Sequence, residues 1–225
     1  MNSRDIIKQL KSLANPENAA GMARYGISSK NTLGISIPQL RAMAKEIGKD
    51  HLLAREIWKS GIHEARMLAG MIDDPKQVTE KQMENWAGDF DSWAVCDQVC
   101  SNLFDKTSFA YQKAVEWTRA EEEYVKRAGF VLMACLAVHD KKADNKQFER
   151  FLPIIKQGSI DERNFVKKAV NWALRQIGKR NPSLNRKAIA LAEEIKKMDN
   201  RAARWIASDA LRELTKKQSR PRKTT

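Results

Sequence analysis

The sequence predicts an all-α protein, on the evidence of its composition, its helix-start signals and its lack of strand patterns. The 225 residues include ten glycines and six prolines, which fall mainly between segments rich in strong helix formers. No alternating β-branched run of strand length is present. A capping side chain followed by a first-turn proline typically starts a helix. This pattern occurs at Asn15-Pro16, Ser36 precedes Pro38, and Asn181-Pro182 breaks the long segment before it.

Thirteen helices result when these signals are combined with apolar residues at helical spacing. They are predicted near residues 2–13, 16–25, 36–48, 51–60, 63–73, 79–87, 91–104, 107–118, 121–138, 144–157, 161–179, 183–197 and 200–217. Short connections between so many helices are compatible with a bundle or with a solenoid, so internal similarity must decide.

Four segments of similar sequence favour the solenoid. They align on Ala65, Ala128, Ala169 and Ala203, at separations of 63, 41 and 34 residues, which loosely bracket the roughly 40-residue period of HEAT repeats. Such repeats stack helix pairs so that one set of helices lines a concave surface suited to a long partner. We therefore predict a HEAT-like α-solenoid with a concave basic groove, formed by one domain of residues 1–217 and followed by a basic, disordered tail at 218–225.

The charge of the chain indicates a polyanionic partner. Lysine and arginine number 41 against 28 acidic residues, a formal net charge of +13. The last ten residues contribute five of these positive charges and no acid, which leaves the rest of the chain at +8. The predicted folded part is therefore basic in its own right, which favours nucleic acid.

The cysteines point to buried structural thiols rather than to a disulfide framework or a metal site. Cys96 and Cys100 are four residues apart, but a zinc site needs further ligands, and the three histidines have no matching spacing. The sequence shows neither a signal peptide nor an apolar run of about 18 residues. We expect a cytoplasmic, monomeric protein without a metal or cofactor.

The first candidate functional residues are Trp93 and Asp97. They are four residues apart and share one face of a predicted helix, separate from the apolar stripe of Val95, Val99 and Leu103. An indole and a carboxylate therefore lie side by side, off the core face. The structural alternative is a large buried tryptophan beside a solvated charge.

The predicted helix 161–179 carries the second candidate. Its buried stripe is expected to comprise Val166, Ala169, Val170, Ala173 and Ile177. On the opposite side lie Lys168, Trp172, Arg175 and Lys179, an aromatic among three cations that suits a sugar-phosphate chain. A neighbouring helix could instead cover Trp172. On helix 121–138, Arg127 is expected opposite the apolar face, as a solvated residue or a phosphate ligand.

An ordered set of short motifs resembles the AlkD family of bacterial DNA alkylation-repair glycosylases, from about residue 20 to residue 182. The motifs are Met22-Ala23-Arg24-Tyr25, Leu33-Gly34-Ile35, Trp93-x3-Asp97, Lys126-Arg127-Ala128, Phe165-Val166-x-Lys168-Ala169-x2-Trp172-x-Leu174-Arg175 and Asn181-Pro182. The chain departs from the family pattern at Ala94, where an acidic residue often follows the first tryptophan.

The resemblance implies a HEAT-like solenoid that grips double-stranded DNA and excises cationic N3- or N7-alkylated purines. It places Asp97 at the catalytic carboxylate position, and Trp93 and Trp172 beside the sugar of the lesion. Arg127 and Arg175 take nearby cationic positions, and Tyr25 touches DNA at the edge of the groove.

The chemistry of such a base makes this small set of residues sufficient, because an alkylated purine that is already cationic leaves without a general acid. One carboxylate about 4 Å from the developing sugar cation contributes roughly 4 kcal/mol at an effective dielectric near 20, or about a thousandfold in rate. Two other functions remain open: a DNA-binding paralogue without turnover, and a protein-interaction scaffold, which is the commonest use of HEAT repeats.

Overall fold

The computed structural model describes residues 2–28 and 30–216, and this part of the chain is helical throughout, which confirms the all-α prediction. Three short 3-10 helices, at Ala23–Tyr25, Phe104–Lys106 and Trp117–Arg119, accompany the α-helices. The α-helices are α1 (Ser3–Ser12), α2 (Pro16–Met22), α3 (Ile37–Ile47), α4 (His51–Trp58), α5 (His63–Ile72), α6 (Glu80–Gly88), α7 (Trp93–Asn102), α8 (Ala110–Glu116), α9 (Glu123–His139), α10 (Asn145–Glu149), α11 (Phe151–Gly158), α12 (Asn164–Lys179), α13 (Pro182–Lys196) and α14 (Arg201–Leu214).

The predicted helix starts are found at the capped prolines. Asn15 and Asn181 each cap the helix whose first residue is proline, and Ser36 forms a capping box with Gln39. The prediction was wrong at residues 144–157, where Arg150 separates α10 from α11. The tail predicted at 218–225 lies outside the described residues. No helix in the described part of the chain is long and apolar enough to cross a membrane.

The chain divides into two compact units, residues 1–113 and residues 114–225, with the boundary inside α8. Each unit is described by itself below. The single domain over residues 1–217 therefore stays a prediction.

In the first unit, α5 packs between α4 and α7. The rings of Trp58 on α4 and Trp86 on α6 stack with centroids 3.9 Å apart and planes within 4°. The Trp58 indole N–H donates to the Asp89 carboxylate (2.8 Å), and Arg66 on α5 donates to the Asp89 carbonyl oxygen (2.8 Å). These contacts hold the connection that leads into α7.

In the second unit, α12 packs against α9 on one side and against α13 and α14 on the other. Contacts in this unit join residues at several separations, such as 34 for Lys179 with Glu213, 38 for Asn171 with Asp209 and 43 for Arg180 with the Ala137 carbonyl oxygen. The alignment of the repeats on their alanines, at separations of 41 and 34 residues, therefore stays a prediction.

Burial in the second unit agrees with the sequence for α12 and departs from it for α9. Val166, Ala169, Val170, Ala173 and Ile177 are all fully buried, as predicted. On α9, every residue from 127 to 137 is buried, so this helix is covered all round. A helix buried on all sides has no solvated face, which matters for Arg127 below.

Candidate functional site

The first turn of α7 presents Trp93 and Asp97 as the sequence predicts. Ser92 caps the helix, its hydroxyl accepting from the Val95 N–H (3.3 Å), so Trp93 is the first helical residue. Trp93 and Asp97 are half-buried, whereas Val95 and the rest of the apolar stripe are buried. The expected position off the core face is therefore confirmed for both side chains.

A backbone contact from early in the chain fixes the Trp93 ring. Its indole N–H donates to the carbonyl oxygen of Tyr25, 68 residues earlier, at 2.9 Å. Tyr25 ends the 3-10 turn Ala23–Tyr25, and its own side chain is 71 % exposed. The structure thus brings Tyr25 to the Trp93–Asp97 face, with an open groove of about 640 Å³ beside the tyrosine between Glu17 and Ser36.

The segment behind this groove is held by a buried carboxylate that the sequence analysis missed. Glu64 on α5 is 1 % exposed and accepts backbone N–H groups from Leu33 (2.8 Å), Gly34 (2.7 Å) and Ile35 (3.3 Å). Gly34 is required here, because its φ is +77° and a Cβ would lie 2.2 Å from the Asn15 carbonyl oxygen. A lone acid within an apolar helix face was the available signal.

The cap of α7 also contacts a buried histidine. His63 Nδ1 lies 3.5 Å from the Ser92 hydroxyl, and His63 Nε2 is buried without a hydrogen-bond partner in the described part of the chain. Burial lowers the pKa of His63, and this effect outweighs the opposing influence of Glu64 and Asp91. The imidazole beside the cap is thereby favoured in its neutral form.

Ala94, the departure from the family pattern, is buried on α7 with 7 % of its surface exposed. An acidic side chain at position 94 would therefore extend from a residue that is already buried. The half-buried Asp97, three residues further on, is therefore the acidic residue that the first two turns of α7 contribute to the surface.

The structure corrects the expectation for Arg127. This residue is 6 % exposed rather than solvated, and its guanidinium donates to the Phe165 carbonyl oxygen near the start of α12. Lys126 beside it pairs with Asp161 at 3.0 Å. Burial alone would raise the pKa of Asp161, but hydrogen bonds from Arg163 and Lys126 lower it to about 2. Lys126 and Arg127 thus both contact residues at or just before the start of α12.

On α12, Trp172 is half-buried, and its indole nitrogen lies 3.0 Å from the side-chain amide of Gln176 on the same helix. The amide oxygen accepts from the indole N–H in the amide orientation that satisfies both groups. The three predicted cations differ in their surroundings. Arg175 and Lys179 both pair with Glu213 on α14, and Lys179 does so at 2.6 Å. Burial would raise the pKa of Glu213, yet the hydrogen bonds from the two cations lower it, so this acid stays ionised. Lys168 is exposed.

The predicted residues therefore form two groups, one in each unit. Tyr25, Trp93 and Asp97 belong to the first, and Arg127, Lys168, Trp172, Arg175 and Lys179 belong to the second. Cys96, Cys100 and Cys135 are buried thiols, as expected. Within the described residues, no group of three or more His, Cys, Asp or Glu side chains is placed to hold a metal ion.

Comparison with known proteins agrees with these features. A sequence model of the family described as DNA alkylation repair enzyme matches residues 6–220. An uncharacterized protein of Listeria innocua is 23 % identical over 195 residues, which cover 84 % of each chain.

A solved structure shares the fold, with a TM-score of 0.79, 21 % sequence identity and coverage of 94 % of this chain and 95 % of that one. It represents a new family of proteins related to the HEAT-like repeat DNA glycosylases with affinity for branched DNA structures. The HEAT-like repeat fold predicted from the sequence is confirmed by this likeness.

Proposed function

Because this chain belongs to the family of DNA alkylation repair enzymes, we propose that it is a DNA glycosylase that releases cationic N3- and N7-alkylated purines. The reaction hydrolyses the N-glycosidic bond of the damaged nucleotide in double-stranded DNA. The alkylated base leaves as a neutral purine, because it already carries the positive charge that a general acid would otherwise supply. A monomer suffices for this reaction.

The observation that carries the proposal is the pairing of Trp93 and Asp97 on the solvent-facing side of the first turns of α7. As the base departs, positive charge develops on the deoxyribose. The Asp97 carboxylate stabilises that charge and orients the attacking water. An anion about 4 Å away contributes roughly 4 kcal/mol at an effective dielectric near 20, about a thousandfold in rate.

The same magnitude sets the substrate class. A thousandfold acceleration is useful for a base that is already a good leaving group and too small for an intact purine, whose departure needs protonation as well. We therefore expect activity on 7-methylguanine and 3-methyladenine and none on undamaged DNA.

Trp93 serves this reaction as a fixed wall for the sugar. Its indole is held by the Tyr25 carbonyl oxygen, so the ring face beside Asp97 has a defined orientation. In the second unit, Trp172 provides another aromatic face, and the exposed Lys168 is available for a backbone phosphate. Arg127 supports this helix through its hydrogen bond to the Phe165 carbonyl oxygen. Arg175 and Lys179 also belong to the proposed DNA-binding residues, and both pair with Glu213.

A second candidate function is recognition of DNA without base release. Ala94 in place of the acidic residue favours it, and so does the structural neighbour, whose family is described as having affinity for branched DNA structures. In this case the predicted DNA-binding residues would bind DNA, and Asp97 would have no catalytic role.

The decisive experiment incubates the purified protein with methylated duplex DNA and measures released 7-methylguanine and 3-methyladenine by chromatography. We expect release by the wild type and at least about a hundredfold less by Asp97→Asn, with DNA affinity changed less than about threefold. Asp91→Asn is the matched control, because Asp91 is an exposed carboxylate just before α7, paired only weakly with Arg66 at 3.4 Å.

Three outcomes separate the possible functions. Release by Asp97→Asn at the wild-type rate would rule out the proposed mechanism. Tight, salt-dependent binding of branched DNA by a wild type that releases no base would establish the second candidate. Failure to bind any DNA at moderate salt would leave the protein-interaction scaffold.

A further inference from the structure

Trp205 on α14 is an exposed tryptophan that none of the preceding functions uses. It is 41 % exposed, in a helix whose core-facing residues, such as Ile206 and Ala207, are fully buried. Single exposed apolar side chains are common on protein surfaces, so the residues around the Trp205 ring decide whether it serves a partner.

One side of the Trp205 ring already carries a cation. The Lys167 ammonium lies 5.1 Å above the ring centroid. Lys167 and Trp205 are 38 residues apart, the same separation as Asn171 from Asp209 and Arg175 from Glu213. All three pairs therefore belong to one ladder of side chains between the neighbouring helices α12 and α14.

This ladder changes character along its length. At its C-terminal end, α14 supplies two acids: Glu213 pairs with Arg175 and Lys179, and Asp209 lies 3.8 Å from Arg175. At its N-terminal end, α14 supplies Trp205 instead of an acid, and Lys167 has no carboxylate partner among the described residues. The N-terminal end thus keeps a net positive charge beside an accessible aromatic ring.

Two further exposed cations lie near this pair along the two helices. Arg201 lies one helical turn before Trp205 and is exposed, and Lys168 is exposed on α12 next to Lys167. An apolar protein partner would have to bury these charges, and a second copy of the same face would bring like charges together. A strand of nucleic acid satisfies both features, because its phosphates pair with the cations and its bases stack on the ring.

We propose that Trp205 is a stacking platform for an unpaired nucleobase of a DNA strand whose phosphates contact Lys167, Lys168 and Arg201. This inference rests on the proposed DNA binding and specifies the DNA structure that the second unit prefers. Stacking on an aromatic ring requires a base that has left the duplex, so single-stranded gaps and branch points are the preferred ligands.

The platform is distinct from Trp172. Trp205 lies level with Lys167, and Trp172 is five residues further along α12, about 7.5 Å at 1.5 Å per residue. With neighbouring helices about 8–10 Å apart, the backbones at the two tryptophans are on the order of 12 Å apart. That distance spans three or four stacked bases at about 3.4 Å each, so each ring can serve a different nucleotide.

The test measures binding of unmodified DNA, as an intact duplex and as the same duplex with a gap of about four nucleotides that contains 2-aminopurine. The variants are Trp205→Ala and Trp205→Phe. Ile160→Ala is the matched control, because Ile160 is another exposed large apolar residue of the second unit, at 52 %.

We expect Trp205→Ala to bind the gapped DNA about fivefold to a hundredfold more weakly and the intact duplex less than about twofold more weakly. The 2-aminopurine fluorescence that the wild type quenches by stacking should recover in Trp205→Ala and stay quenched in Trp205→Phe. Lys167→Gln should lower the salt slope on the gapped DNA by up to about 0.7, which Trp205→Ala should not.

Several results would overturn the platform: equal binding of gapped DNA by Trp205→Ala and the wild type, equal weakening on both DNAs, or a wild-type dimer that Trp205→Ala dissociates. If Trp205→Ala does not fold by circular dichroism, Trp205→Leu against Trp205→Phe makes the same comparison between apolar and aromatic side chains. The DNA carries no methylated base, so this test and the base-release test can fail independently.

Discussion

The helices α7 and α12 each present a half-buried tryptophan, and they hold it in different ways. On α7, the Trp93 indole N–H is bound by the Tyr25 carbonyl oxygen from 68 residues away, and the Tyr25 region is backed by buried Glu64. On α12, the Trp172 indole N–H is bound within its own helix by Gln176. The first arrangement depends on tertiary structure and the second largely on one helix.

The charges around the two tryptophans differ as well. Asp97, one turn from Trp93, places a half-buried acid beside the first indole, and the residues that follow Trp172 on the same face are the cations Arg175 and Lys179, which pair with Glu213. In the proposed reaction, the acid on α7 is the group that acts on a cationic sugar. The pairing with Glu213 suggests that the C-terminal end of α12 is arranged for stability, with DNA affinity left to its exposed cations.

The largest effect should come from Glu64→Gln, which removes the charge that accepts three backbone N–H groups in a buried site. We expect the free energy of unfolding to fall by about 3 kcal/mol in urea denaturation, since glutamine keeps one acceptor oxygen and turns an NH2 donor towards a buried backbone N–H. Glu213→Gln is the matched control from α14, where a partly exposed ion pair should cost less than about 1 kcal/mol. Equal losses in the two variants would contradict the stronger stabilisation expected from the buried Glu64.

The next effect separates the two indoles directly. Trp93→Phe keeps an aromatic face but removes the N–H that binds Tyr25, so single-turnover base release should slow about fivefold to tenfold. Trp172→Phe should slow it by less than about threefold, because its lost partner, Gln176, is on the same helix and reaches solvent. A larger effect at Trp172 would reverse the proposed order.

Glu213→Gln should also alter DNA binding, because it releases Arg175 and Lys179 from their balancing charge. We expect tighter binding of duplex DNA and a plot of log affinity against log salt that is steeper by up to about 1.8, from two additional phosphate contacts. Glu193→Gln on α13 removes the same charge from an exposed position and serves as the control. If both variants behave alike, net charge alone explains the change.

A separate effect concerns pH. The folded protein holds the pKa of His63 below its ordinary value of 6.5, so unfolding takes up a proton once the pH falls below 6.5. Above 6.5 the histidine has no influence; below it, the free energy of unfolding should fall by up to about 1.4 kcal/mol per pH unit until the lowered pKa is reached. His63→Asn should flatten this part of the profile, measured by urea denaturation at pH 7.5, 6.5 and 5.5.

In the second unit, Asp161 is expected to change the free energy of unfolding in a lower pH range than His63. Its pKa is lowered from 3.8 to about 2, so its contribution to stability is present above pH 3.8 and is lost as the pH falls towards 2. A profile in which stability fell in this range but not between 6.5 and 5.5 would contradict the role of His63.

Much of the fold and part of the candidate site could be predicted from the sequence, because both depend on local chemistry. Caps and first-turn prolines placed helix starts, and helical spacing placed Trp93 and Asp97 off the core of α7. Spacing also gave the buried stripe of α12. The same reasoning failed for Arg127, since periodicity on one helix cannot show that neighbouring helices cover its polar side as well.

The sequence by itself therefore determined the helical class, the family motifs and the face on which each tryptophan lies, because these follow from propensity and from 3.6 residues per turn. Only the tertiary structure decided that Glu64 holds Leu33 and Gly34, that Tyr25 fixes Trp93, and that Glu213 pairs with two predicted cations. Those contacts join residues 30 to 68 positions apart. Their partners are set by how helices stack, which no local pattern encodes.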